Sequence, residues 1–108
     1  MSLDAEELSR TRAELAANLA RTSLTPAEVA ADLAFDEARL DEARLDAALN
    51  ATESGDPSDV WLLRDYLEHA VRDAGGEPVP FTVLTSQSRR MAERWFALRT
   101  APRHDFSV

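Results

Sequence analysis

LTPAEVAADLAFDEARLDEARLDAALN, residues 24–50, is the stretch of sequence that decides the fold. Thr25 and Glu28 have the spacing of a capping box, and Pro26 suits the first position of a helix. A second helix start follows at Asp36, whose carboxylate can cap the amides after it. Two helices joined by so short a turn have the layout of a helix-turn-helix, so the stretch predicts a small all-α domain.

The second of these helices contains a tandem pentapeptide, because residues 36–40 and 41–45 both read Asp-Glu-Ala-Arg-Leu. Five residues rotate a helix by about 140°, so the leucines that end the two copies do not share one narrow stripe. Leu45 and Leu49, in contrast, lie only about 40° apart. Either one continuous helix shifts its register across the repeat, or the first copy forms a turn and Asp41 caps the helix. We favour the continuous helix.

Apolar periodicity and capping residues predict three further helices, which gives a compact bundle of about five. One covers residues 4–20, one begins at Pro57 and ends at Gly75-Gly76, and the last runs from Thr85 or Ser86 to about Leu98. Two prolines favour extended chain after the glycines, and residues 81–84 have the composition of a short strand. We expect a single domain over residues 1–99 and a flexible tail over 100–108.

The helix that begins at Pro57 has an unusually broad apolar stripe, because Trp61, Leu62 and Tyr66 lie outside its main face. So broad a stripe indicates burial on more than one side. The helix is then either the centre of the fold or part of a subunit interface. The interface hypothesis predicts a homodimer, and it adds two residues of the candidate strand to the three above: Phe81 and Val83.

Composition and charge restrict the classes of function. The formal net charge is −8, which is the wrong sign for a typical nucleic-acid-binding domain. The chain has no cysteine, which excludes disulfides and thiolate metal sites. It shows no secretory signal, and no apolar run approaches the roughly 18–20 residues that cross a membrane. The predicted location is therefore the cytoplasm.

Four stretches together resemble the uncharacterised bacterial family called domain of unknown function 2316. They are LTPAEVAADL at 24–33, DPSDVWLLRDYL at 56–67, PVPFTVLT at 78–85 and RWF at 94–96. The resemblance covers nearly the whole chain. It implies a helical core similar to the lambda-repressor-like helix-turn-helix domains, and it implies no activity, because none is assigned to the family.

DNA binding is one hypothesis for a helix-turn-helix layout, and the chain would then act as a transcriptional regulator. The candidate contacts are five arginines on the second helix of the layout and on the last helix: Arg39, Arg44, Arg89, Arg90 and Arg94. We expect the three on the last helix to face outward, and Met91 to face inward. The carboxylates of the repeat would meet phosphates at the same time, which opposes binding.

Enzymatic activity has little support in the sequence. His69 shares a helix face with Asp65 and Asp73, a pattern more typical of an exposed polar surface than of a metal site, and His104 has no visible partner. We predict no catalytic residue, no metal and no cofactor. A small-ligand pocket lined by aromatic residues is a weaker alternative, with Trp61, Tyr66, Phe81 and Trp95 as its walls. The function stays unknown, and self-association or binding of another protein is the favoured hypothesis, ahead of DNA binding.

Overall fold

A computed structural model of the chain describes residues 4–33, 42–50, 57–94, 98 and 101–106. Within these ranges the chain forms five helices and no strand, as an all-α fold requires. The helices are α1 (Ala5–Thr22), α2 (Pro26–Leu33), α3 (Glu42–Leu49), α4 (Pro57–Asp73) and α5 (Ser86–Ala92). None of the described helices is long and apolar enough to cross a membrane.

Capping boxes start the first two helices. The Glu7 amide donates to the Asp4 carboxylate over 2.8 Å, and the Asp4 amide donates back to Glu7. The predicted box at α2 is confirmed, because the Thr25 amide donates to Glu28 and the Glu28 amide donates to the Thr25 hydroxyl. Each box satisfies amides that a helix start would otherwise leave without an acceptor.

α4 is the central helix of the fold. It packs against α1 and α3, and seven consecutive side chains from Trp61 to Leu67 are buried. Leu15 of α1 and Leu33 of α2 are fully buried in the same core, and Leu45 of α3 is 2% exposed. The breadth of the apolar stripe on α4 therefore follows from its position at the centre.

The end of α4 matches the prediction from Gly75-Gly76. Gly75 has a φ of 91°, a left-handed conformation that glycine adopts without a steric penalty. Its amide donates to the carbonyl of Arg72, and the Gly76 amide donates to the carbonyl of Val71. These bonds satisfy carbonyls at the end of the helix.

The tandem repeat is described only from Glu42 onward, and of residues 42–44 only the helical backbone is described. Leu45 is buried and Leu49 packs against the core, as their 40° separation on the helix requires. The turn after Leu33, the first copy of the repeat and the candidate cap Asp41 lie outside the described residues. The lambda-repressor-like core therefore stays a prediction.

Residues 81–84 do not form the short strand that their composition allowed. The chain here bends, and it runs beside α1 with no strand next to it among the described residues. The Asn18 side chain accepts from the Val79 amide over 2.8 Å and donates to the Val79 carbonyl over 3.1 Å. The Glu14 carboxylate accepts from the amide and the hydroxyl of Thr82. Side chains of α1 thus satisfy the Thr82 amide, which a strand would have paired in a sheet, and both backbone groups of Val79 before it.

The last helix differs in two ways from the sequence prediction. As described, α5 ends at Ala92, and residues 95–97, with Trp95, lie outside the described part. Met91 was expected to face inward, but it is 49% exposed. The buried side of α5 instead contains Ala92 and the half-buried Arg89, because Arg89 forms an ion pair with α4 that sets the rotation of the helix.

Candidate interaction surface

The exposed side of α5 and the turn that follows it carry two arginines and a methionine, and we call these three residues, Arg90, Met91 and Arg94, the α5 face. Thr85 starts the helix by accepting a hydrogen bond from the Ser88 amide. Positions 90, 91 and 94 then fall together on the solvent side. Neither arginine side chain forms a hydrogen bond or ion pair with another described residue. The α5 face is therefore a basic and apolar patch on an acidic chain.

Arg89, the residue before Arg90 of the α5 face, binds other side chains of the same chain. Its Nε donates to the Asp65 carboxylate over 3.0 Å, and its Nη2 lies 2.9 Å from the same carboxylate oxygen. Arg89 also pairs with Glu93. The hydrogen bond to Asp65 raises the pKa of Arg89 above its usual value. Arg89 was a candidate for contacting nucleic acid, and its pairing with Asp65 instead fixes α5 against α4.

Arg64 completes this network from the buried side. It pairs with Asp65 over 3.1 Å and with Glu68 over 3.3 Å, and its Nε donates to the Leu84 carbonyl over 3.0 Å. The guanidinium carbon lies 4.8 Å from the centre of the Phe81 ring, within the range of a cation–π contact. One buried arginine therefore joins α4 to the bend that precedes α5.

The five residues of the interface hypothesis all lie inside the single chain. Their exposed fractions are at most 9%, for Trp61, Leu62, Tyr66, Phe81 and Val83. They contribute to the core around α4 and leave almost no surface for a second copy. Trp61, Tyr66 and Phe81, the described aromatic residues of the ligand hypothesis, are among these buried side chains.

The candidate nucleic-acid contacts fall into three groups. Arg39 and the side chain of Arg44 lie outside the described residues. Arg89 is bound to Asp65. Arg90 and Arg94 are exposed and available. The described surface therefore offers two of the five candidates to a polyanion.

A second polar cluster joins three distant parts of the chain. The Tyr66 hydroxyl of α4 donates to the Asp32 carboxylate of α2, and His104 Nδ1 lies 2.7 Å from the same oxygen. Burial raises the pKa of Tyr66 above its usual value, and the bond to Asp32 raises it further. No local pattern in the sequence indicated a partner for His104, because Asp32 is 72 residues away.

The face of α4 that contains His69 is divided between two ion pairs. Asp65 binds Arg89, and Asp73 binds Arg103 from the C-terminal segment. The Arg103 hydrogen bond lowers the pKa of Asp73. In the part of the chain that the structure describes, no group of three His, Asp or Glu side chains is placed to hold a metal ion.

An open groove with a volume of about 500 Å³ lies between α1 and α3, and we call it the α1–α3 groove. Ala16, Leu19 and Ala20 of α1 and Leu49 of α3 give it an apolar lining. Each helix also contributes one charged residue to the groove: Arg12 from α1 and Asp46 from α3. No motif in the sequence indicated this surface.

Comparison with known proteins agrees with the resemblance noted in the sequence. A search of curated proteins and a search of solved structures each gave no match. The model of one family, described as an uncharacterized protein conserved in bacteria (DUF2316), matches residues 1–97. Because that match covers most of the 108 residues, the chain belongs to the DUF2316 family of uncharacterised bacterial proteins.

Proposed function

We propose that this protein is a non-enzymatic interaction module of the bacterial cytoplasm, and that its α5 face binds an acidic segment of another protein. The observation that carries the proposal is the exposed Met91 between two arginines that have no partner among the described residues. On a chain with a net charge of −8, such a patch is a local reversal of charge that attracts a partner of opposite sign.

The chemistry of the α5 face favours protein over DNA as the partner. Met and Arg are enriched in the buried centres of protein interfaces, and a flexible thioether fits many apolar side chains. DNA affinity, in contrast, grows with the number of phosphates that are neutralised. Two available arginines supply few such contacts, and the acidic remainder of the chain repels the duplex.

The proposal is tested by fluorescence anisotropy on the full chain. The probe is a labelled peptide of alternating Glu and Leu, compared with a Lys and Leu peptide and with a labelled DNA duplex of mixed sequence. We expect binding of the acidic peptide at micromolar concentration and none of the basic peptide. The double variant Arg90→Ser, Arg94→Ser and the variant Met91→Ser should each weaken binding by about tenfold or more.

Arg10→Ser is the matched control, because Arg10 is an exposed arginine of α1 that is paired only with Glu6. It should leave peptide binding unchanged. Absence of peptide binding at tens of micromolar would overturn the proposal. Tighter binding of the duplex, lost in the double arginine variant, would replace it with the DNA hypothesis.

Self-association is a second candidate function, and a different observation favours it. The five core residues that suggested a dimer from the sequence are buried, but the α1–α3 groove is an apolar surface that is open to solvent. The homodimer proposal therefore moves from α4 to this groove.

A further inference from the structure

We propose that the α1–α3 groove is the docking surface for a second copy of this chain, held by reciprocal pairing of Arg12 with Asp46 of the partner subunit. This proposal rests on self-association as the second candidate function, and it involves none of the residues of the α5 face. It rests on three properties of the groove: its apolar lining, its two unpaired charges, and the absence of excess negative charge along the exposed side of α1.

The lining is suited to close approach of a helix. Ala16 and Ala20 are exposed and one turn apart, so they present small side chains along one line of α1. Leu19 and Leu49 are half-buried against the core, and each has apolar surface left to cover. A partner helix that covers this lining removes apolar surface from water, which favours association.

The two charged residues of the groove have opposite signs and lie on different helices. In the described part of the chain, neither the Arg12 guanidinium nor the Asp46 carboxylate has a hydrogen bond or ion-pair partner. The neighbouring Arg21, in contrast, donates to the Glu77 carbonyl over 2.7 Å. A two-fold axis through the groove brings Arg12 of each copy to Asp46 of the other, which is the self-complementary arrangement of an isologous dimer.

The groove also avoids the repulsion that a net charge of −8 would produce on most other contacts. From Arg12 to the end of α1, the exposed residues are uncharged or basic: Arg12, Ala13, Ala16, Ala20 and Arg21. Glu14, the acidic residue of this stretch, is turned away and bonded to Thr82. Along this stretch of α1, two copies can therefore meet without opposing carboxylates. The complementary charges of Arg12 and Asp46 in the groove then favour a second copy as the occupant.

Sedimentation velocity on the full chain tests the inference through a charge exchange. We expect the wild-type chain to dimerise at micromolar concentration. Arg12→Asp places two carboxylates in each contact and Asp46→Arg places two arginines there, so each should weaken dimerisation by about tenfold or more. The double variant Arg12→Asp, Asp46→Arg restores opposite charges and should recover most of the wild-type affinity.

The controls separate the surface from the fold and from the α5 face. Arg10→Asp lies on the same helix but outside the groove, and it should leave dimerisation unchanged. Ala20→Glu changes an exposed position, so it should abolish the dimer while the circular dichroism of the helices is retained. The double variant Arg90→Ser, Arg94→Ser should dimerise normally, and Arg12→Asp should still bind the acidic peptide.

Two outcomes would overturn the inference in distinguishable ways. A wild-type monomer at all micromolar concentrations removes self-association itself. A wild-type dimer that tolerates both single charge reversals and Ala20→Glu keeps self-association but places it on another surface. Neither outcome bears on peptide binding by the α5 face.

Discussion

Tyr66 is the only tyrosine in the chain, and its side chain is fully buried. Its hydroxyl donates to Asp32, a bond that needs the neutral phenol. Burial first, and then the bond and the charge of Asp32, raise the pKa of Tyr66 above its ordinary value of 10. The folded state therefore holds the proton more tightly than the unfolded state does, and this contribution to stability is lost as the pH rises above the unfolded value of about 10.

We expect Tyr66 to form no phenolate in the folded chain at moderately alkaline pH. In an ultraviolet absorbance titration, the phenolate band should appear only together with the loss of helical circular dichroism. In denaturant it should appear near pH 10. Asp32→Asn removes the carboxylate but not the burial, so the pKa of Tyr66 should fall and still exceed its ordinary value. A phenolate band at pH 10 with the helices intact would contradict this account.

At the same scale, hydrogen bonds between side chains and backbone could be predicted from the sequence only where the two partners are close in sequence. The capping pair of Thr25 and Glu28 is three residues apart, and it was found from the sequence. Asn18 and Val79 are 61 residues apart, and nothing in either local sequence indicates the other. Polar partners at such separations become visible only when the packing of the helices is known.

At the scale of elements, the helices were predictable because periodicity and caps are local signals. The conformation of residues 81–84 was not predictable. A composition typical of strands indicates a half-buried extended chain, and such a chain can pair in a sheet or bend against a helix. Met91 was placed inward by apolar character alone. The rotation of α5 depends on the ion pair between Arg89 and Asp65, and that pair comes from two helices.

Arg64 should be the main polar link between α4 and the bend that leads to α5. Its side chain is 8% exposed and it binds two carboxylates and the Leu84 carbonyl. Removing one partner of a buried ion pair costs about 3–5 kcal/mol. In the variant Arg64→Met, Asp65 still has Arg89 as an ion-pair partner. We therefore expect the variant to lower the free energy of unfolding by about 3 kcal/mol, the lower end of that range. Chemical denaturation followed by circular dichroism measures it.

Arg72→Met is the matched control for Arg64→Met. Arg72 lies on the same helix and pairs with the same Glu68, but its side chain is 59% exposed. Exposed ion pairs contribute about 0–1 kcal/mol, so this variant should stay within about 1 kcal/mol of the wild-type chain. Equal losses in the two variants would mean that burial of Arg64 adds nothing, and the network would then not be what fixes α5.

At the scale of the whole molecule, the C-terminal segment connects elements that are far apart in sequence. A flexible tail was expected over residues 100–108, and its flexibility stays a prediction. In the described part, Arg103 binds Asp73 at the end of α4, and His104 binds Asp32 on α2. The segment thus lies against two helices through side chains whose partners could not be inferred from the tail itself.

We expect acid to release this segment before the helices unfold. The hydrogen bond from Arg103 lowers the pKa of Asp73 below its ordinary value of 3.8. A lowered pKa means that the contact is fully present above the unfolded value and is lost as the pH falls through the folded one. The NMR signals of the amides of Ala101 and of residues 103–106 should therefore shift as the pH falls below 3.8, while the helical circular dichroism is still retained.

Asp73→Asn removes the titrating group and gives the control at neutral pH. In this variant the amide signal of Arg103 should already resemble that of the wild-type chain in acid, and it should lose the acid transition that the wild-type chain shows below the ordinary Asp73 pKa of 3.8. Glu68→Gln, five residues before Asp73 on the same helix, should leave that transition unchanged, because Glu68 pairs with Arg64 and Arg72. If the Arg103 signal keeps its acid transition in Asp73→Asn, another carboxylate holds the segment, and the ion pair with α4 does not govern how the C-terminal end of the molecule docks.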